Sequence, residues 1–184
     1  MARRFVVISG LPGSGKTTLA RQLAPALDLP LIDKDDILER LLDARGAGDS
    51  AWRRGLSRES DAILRDEAQA SEGAVLVSFR HLPGMPADSG TPTGWLAGFS
   101  IPLVNVHCAC SPELAAERFL RRKRHRGHLD AGASLPEVLA SLRAIECLGP
   151  LAIEPRVVVD TEREIRLDAV IREIYAAFRL GGAE

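Results

Sequence analysis

Apolar residues recur along this chain in two rhythms. Short unbroken runs read as buried strands: Phe5-Val6-Val7-Ile8, Leu31-Ile32, Ala74-Val75-Leu76-Val77, Ile101 to His107, and Arg156-Val157-Val158-Val159-Asp160. Between them the apolar positions fall at helical spacing, as in Leu19, Leu23 and Leu27, or Ile37, Leu38, Leu41 and Leu42. The same spacing returns in Leu56, Ile63 and Leu64, in Val138, Leu139, Leu142 and Ile145, and in Leu167, Val170, Ile171, Ile174 and Phe178. Strands alternating with helices predict an α/β protein, a parallel sheet with helices on both faces. A long helix is expected from about Ser50 to Glu72, ended by Gly73. Ser111-Pro112 reads as a helix start, and Ser134 to Glu137 and Thr161 to Glu164 as capping boxes. His81 to Ser100, rich in proline and glycine, reads as a long loop, and loops of that length in a compact domain are usually functional.

Between the first strand and the first helix, expected over Lys16 to Leu27, lies Ser9-Gly10-Leu11-Pro12-Gly13-Ser14-Gly15-Lys16-Thr17-Thr18. It fits G-x-x-x-x-G-K-[ST] at every fixed position, in the strand–loop–helix context that gives this motif its meaning. A triphosphate is a polyanion that must be approached closely. Glycines let successive backbone N–H groups turn into one concavity, and the helix start adds the positive end of its dipole. Gly10, Pro12, Gly13, Ser14, Gly15, Lys16, Thr17 and Thr18 are therefore the expected nucleotide-binding residues. Lys16 is expected to reach the β- and γ-phosphates and Thr17 to place its hydroxyl on Mg²⁺, with ATP and Mg²⁺ as the cofactors.

Ligands of open α/β sheets bind beyond the carboxyl ends of the strands. That rule selects the P-loop, Asp33 to Asp36, Ser78 to Arg80 and the loop after Asp160. A carboxylate beside bound phosphate repels it and needs a reason. It can hold Mg²⁺ through water, or orient a hydroxyl that attacks the γ-phosphate. Asp33 and Asp35 fit these two roles and are the candidate acceptor-binding pair. Plain helix capping is the competing use of Asp35 and Asp36. The third strand ends in Ser78, where many P-loop proteins carry a metal-supporting aspartate, which argues against a mechanical ATPase or GTPase. Arg80 either binds an anionic group on the acceptor or makes a surface ion pair.

Arg121-Arg122-Lys123-Arg124-His125-Arg126-Gly127-His128 has three readings: a solvated helix face, a nucleic-acid patch, or a lid over the triphosphate. Phosphoryl transfer needs positive charge on the equatorial oxygens, and arginines on a mobile lid supply it. Arg118, Arg122 and Arg126 share one helix face at four-residue spacing. The lid reading spans about 118–133, takes Arg122 and Arg126 as the catalytic cations, and uses Gly127 and Gly132 as hinges. His107, Cys108 and Cys110 read as a strand end rather than a metal cluster. His125 and His128 sit in a basic segment that repels a cation.

At 184 residues the chain reads as a single domain over 1–184. A net charge of −1 supplies no global attraction to nucleic acid or membrane. No apolar run approaches the roughly 20 residues of a membrane span, and the apolar run after Arg3-Arg4 is too short for a secretory signal. A cytoplasmic protein is expected. Cys108, Cys110 and Cys147, an odd count without framework spacing, suit reduced thiols.

With the P-loop, Asp33-Lys34-Asp35-Asp36 and the arginine-rich run in place, the chain resembles the P-loop small-molecule kinases. These include shikimate and gluconate kinases, nucleoside monophosphate kinases, chloramphenicol phosphotransferase and zeta-toxin-like kinases, with many members labelled as AAA-family ATPases. The resemblance implies a three-layer P-loop fold with a five-stranded parallel sheet of order 2-3-1-4-5 and a lid between strands four and five. It implies adenine held between the lid base, here Arg118, and the loop around Asp160-Thr161-Glu162. Asp33 and Asp35 resemble the D-x-D pair of shikimate kinase, in which one carboxylate meets the acceptor hydroxyl and the other supports Mg²⁺. The chain departs from that pattern at Ser78-Phe79-Arg80 and in the 81–100 loop, so the acceptor is left open. The expected activity is transfer of the ATP γ-phosphate to a hydroxyl of a small molecule. A polynucleotide 5′-hydroxyl kinase or RNA-binding ATPase, and a nucleotide-binding regulatory module without transfer, stand as alternatives.

Overall fold

The computed structural model describes residues 4–98, 102–123, 125–128 and 132–181. In chain order the strands are β1 (Arg4–Gly10), β2 (Leu31–Asp33), β3 (Gly73–Val77), β4 (Leu103–Ala109) and β5 (Arg156–Asp160). The helices are α1 (Lys16–Ala26), α2 (Lys34–Arg45), α3 (Ser50–Ala70), α4 (Pro112–Arg121), α5 (Leu135–Glu146) and α6 (Leu167–Gly181). The strands form one parallel sheet in the order β2-β3-β1-β4-β5, the order the resemblance implied.

β1 is the central strand, and Phe5 to Ile8 are fully buried. Its period-two alternation separates two cores. Val6 and Ile8 pack with Leu19 and Leu23 of α1 and Ile174 and Phe178 of α6 on one face. Phe5 and Val7 pack with Leu64 and Ala68 of α3, Leu96 and Leu151 on the other. A strand enclosed this way can be apolar at every position, which is why its sequence shows no alternation. Leu38 and Leu42 of α2 and Leu56 of α3 make a smaller core of their own.

Three expectations at element ends are corrected. The fourth strand covers Leu103–Ala109, not 101–107. Pairing with β1 aligns Gly10 with Cys108, and pairing with β5 aligns Ala109 with Asp160, so ladder bonds carry the strand two residues further; Ile101 lies outside the described residues. The Ser111 side chain does not cap α4. Its backbone N–H donates instead to Glu162 Oε1, in the loop after β5, at 2.6 Å. Thr161 to Glu164 is not a capping box, because α6 begins at Leu167. The Thr161 hydroxyl is bonded to Ala109 O at 2.9 Å. Ser134 with Glu137 does form a capping box.

The segment after β3 is a loop, as expected, but a packed one. Thr91 N–H donates to Phe79 O and His81 N–H to Thr91 O, closing its base at 2.7 and 2.9 Å. Leu82 and Leu96 are buried in the β1–α3 core. Residues 99–101 lie outside the described residues.

Candidate functional site: the cavity at the head of the first helix

The P-loop is pressed between β4 and α4. A Cβ on Gly13, at φ +84°, would lie 2.1 Å from Ala115 O; on Gly10, at φ +132°, it would lie 2.6 Å from Cys108 O. Only glycine fits either place. Lys16 opens α1, and its ammonium donates to Gly10 O at 3.0 Å and Leu11 O at 2.7 Å. Burial pushes its pKa down to about 8; Cys108, Asp35 and Asp33 oppose that shift and the Arg122 charge adds to it.

One residue further on, the Thr17 hydroxyl donates to Asp33 Oδ2 at 3.0 Å. The other carboxylate oxygen of Asp33 accepts the Asp35 N–H at 3.0 Å, which makes Asp33 the N-cap of α2. Asp33 is therefore the cap, and Asp35 sits in the first turn. Burial raises the Asp33 pKa to about 6, with Asp35 and Asp36 adding to the effect. The two hydrogen bonds oppose it. Thr17 and Asp33 present hard oxygen donors side by side. That suits Mg²⁺, which takes one or two protein oxygens and fills its octahedron with water and phosphate.

These residues line a cavity of about 610 Å³. Its floor is Pro12, Gly13 and Gly15 to Thr18, and Asp33 to Asp35 and Leu38 form one wall. Arg118, Phe119 and Arg122 line it as well. Arg53, Ser57, Ser78, Phe79 and Asp88 to Gly90 complete it. The Arg122 guanidinium lies 4.5 Å from the Phe119 ring centroid. Arg118 Nη2 donates to Thr161 O at 3.0 Å, tying α4 to the loop after β5. Asp36 turns outward to Arg21 at 3.4 Å, an exposed pair.

The remaining nominated residues stand apart from this wall. Gly10 borders a second cavity. Ser14 is fully buried, its hydroxyl without a hydrogen-bond partner among the described residues. Thr161 meets the site through its carbonyl, which accepts from Arg118, and through its Cβ, 3.9 Å from where a Cβ on Gly15 would lie. Arg118, Arg122 and Arg126 do not share one helix face, because α4 ends at Arg121 and Arg122 is already extended; the Arg126 side chain lies outside the described residues. A Cβ on Gly127 would lie 2.5 Å from Leu42 Cδ1, so this glycine packs closely against α2. Gly132, at φ +96° in open space, keeps the freedom a hinge needs.

Arg80 is 3% exposed, and all three guanidinium nitrogens lack a hydrogen-bond partner among the described residues. It is not the surface ion pair that was one reading of it. Burial lowers its pKa to about 10 against the opposing charges of Asp61 and Asp33. It borders the second cavity, of about 190 Å³, along with Ser9, His107 and Leu151, rather than the phosphate cavity. Sequence reasoning missed Lys34, paired with Asp61 at 2.6 Å, Arg53, and Asp88 to Gly90. The length of the loop after β3 was the only signal for the last of these.

No helix among the described residues is long and apolar enough to cross a membrane. Residues 5–143 match the AAA_33 family, an AAA domain. The chain is 45% identical over 72 residues to shikimate kinase of Corynebacterium glutamicum, covering 39% of this chain and 43% of that one. That stretch spans less than half of the relative's length. Gluconokinase of Gluconobacter oxydans is 29% identical over 180 residues, covering 94% and 92% of the two chains. A crystal structure from Chloroflexus aurantiacus that carries a provisional kinase name superposes with a TM-score of 0.77 at 24% identity, covering 96% and 99%. Shikimate kinase of Acinetobacter baumannii in complex with shikimate gives 0.61 at 18%, covering 96% and 93%. The glycine-built phosphate cup, the sheet order and the family match agree: the chain belongs to the AAA_33 family, with the P-loop small-molecule kinases as its relatives.

Proposed function

We propose that the protein is an ATP- and Mg²⁺-dependent phosphotransferase, acting in the cytoplasm on a hydroxyl of a small molecule. The observation that carries this is the Thr17–Asp33 contact of 3.0 Å at the head of α1, with Asp35 lining the same cavity. Lys16 leaves the carbonyls of Gly10 and Leu11 and turns to the β- and γ-phosphates. Thr17 and Asp33 would hold Mg²⁺, and the ion would supply positive charge against the phosphates. Asp35 orients the acceptor hydroxyl and takes its proton as the oxygen attacks the γ-phosphorus, and the bond from that phosphorus to the β–γ bridging oxygen breaks to release ADP. Arg122, with Arg126, balances the charge on the equatorial oxygens, and the segment of about 118–133 excludes water.

The relatives named shikimate kinase and gluconokinase support a small-molecule acceptor. Arg53, Ser57, Asp88 and Ser89 line the cavity beyond Asp35 and are the acceptor's natural contacts. Arg80 joins them only if the loop over it moves. Among the described residues, Arg122 meets the Phe119 ring, His125 meets Asp43 and His128 meets Glu39. Those internal contacts favour a lid over a nucleic-acid patch.

The test is a screen of hydroxyl-bearing metabolites read as ADP production, with Lys16→Ala as control. Acceptor-stimulated turnover in the wild type alone is the expected result. Equal ATP binding and consumption by both proteins would overturn the assignment.

A further inference from the structure

The basic segment is docked on helix α2. Asp35, Glu39 and Asp43 fall at four-residue spacing and form one stripe of that helix. Asp35 lines the phosphate cavity. One turn on, Glu39 Oε1 accepts from His128 Nε2 at 2.8 Å, and the His128 side chain is 1% exposed. Another turn on, Asp43 Oδ1 lies 3.3 Å from His125 Nε2. Between the two pairs Gly127 lies against Leu42 with no room for a methyl group.

The other end of the segment is tied down independently. Arg118 bonds to Thr161 O and contacts Cys110 Sγ. Arg122 follows the last residue of α4 and stacks on Phe119. The stretch that carries Arg122 therefore runs from an anchor beside β5 to an anchor on the helix that carries Asp35. The position of Arg122 relative to Asp35 depends on both anchors.

We propose that Glu39 and His128 are positioning residues for phosphoryl transfer: their half-buried pair fixes the segment that carries Arg122 against the helix that carries Asp35. This rests on the phosphotransferase reading above. Neither residue touches nucleotide or acceptor; each acts through Arg122. The pair joins the nucleotide side of the site to the acceptor side.

The experiment is steady-state ADP release from MgATP with water as acceptor, together with equilibrium binding of a fluorescent ATP analogue. Glu39→Ala and His128→Ala are expected to lower kcat about tenfold each, with nucleotide affinity held within about twofold, the signature of a contact used in the transition state. The double variant is expected to fall no further than either single one. Glu39→Gln keeps an oxygen for the His128 N–H and is expected to recover most of kcat. Should an alanine variant fail to fold, Asp43→Lys at the exposed pair is expected to lower kcat about threefold. Unchanged kcat in the variants, or losses that add in the double variant, would overturn the proposal. A dead Lys16→Ala beside an unchanged Glu39→Ala removes the pair's role alone. Wild-type turnover by Lys16→Ala removes the phosphotransferase reading and this proposal with it.

Discussion

The Thr17 hydroxyl and the Asp33 carboxylate meet at 3.0 Å, although Thr17 lies in α1 and Asp33 ends β2, a strand two places from β1 in the sheet. The contact places a buried acid where its charge is costly to the empty protein and useful only when a cation arrives.

Asp33→Asn is therefore expected to stabilise the empty protein while removing activity. The folded pKa of about 6 lies above the ordinary 3.8, so the native state holds more protons between those values. Stability falls as pH rises through that window and stays lowered above it. A shift of this size corresponds to at most about 3 kcal/mol. Asparagine still caps α2. Denaturant melts should show the variant more stable by about 1–3 kcal/mol at pH 8, with the gap closed near pH 4. Mg²⁺-dependent turnover should drop on the order of 10²-fold.

The same two groups shape the pH profile. Asp33 must be ionised to hold Mg²⁺ and Lys16 protonated to hold phosphate. The kcat/KM for ATP, which reports the free enzyme, should be bell-shaped with limbs near 6 and 8. Bound triphosphate favours the ammonium, so the alkaline limb of kcat should move upward. Initial rates across pH at low and saturating ATP check both statements.

Arg80→Met tests the sealed guanidinium. Replacing a buried cation that has no hydrogen-bond partner among the described residues by an apolar chain of similar length should raise stability by about 1–4 kcal/mol. If Arg80 binds an anionic acceptor, the acceptor KM rises at least tenfold and the KM for ATP is unchanged. Thermal melts and acceptor kinetics read the two effects separately.

Gly13→Ala forces a methyl group into Ala115 O and an alanine into a left-handed φ. The loop must move away from α4, at a cost of about 1–3 kcal/mol. Nucleotide affinity should fall more than tenfold, because the amides no longer converge; calorimetric titration with MgATP checks this.

Most of the fold is legible along the chain. Five apolar runs mark the five strands; β1 and β3 are covered on both faces and need no polar face, while β5 at the edge leaves Val158 exposed. The P-loop is legible because its chemistry is local: the turn, the lysine and the hydroxyl are neighbours in sequence. Asp33 and Asp35 are legible from position, at the end of a strand. What depends on distant segments is not. Glu162 accepts from the backbone of Ser111, 51 residues earlier, and nothing around Ser111 announces it. Thr161 to Glu164 satisfies a capping pattern, yet Thr161 follows β5 and bonds to β4 instead. Gly127 has the composition of a hinge, and only the approach of Leu42 makes it a packing contact.

The order of residues alone determined the strand–loop–helix phosphate cup and the α/β alternation, because both arise from contacts within a few residues. Tertiary structure decided which acids, cations and loops share that cup. It sealed Arg80 beneath a loop, joined Glu39 to His128 across 89 residues and brought Asp88 to the cavity wall. Such meetings depend on how separate layers pack, and no local spacing encodes them.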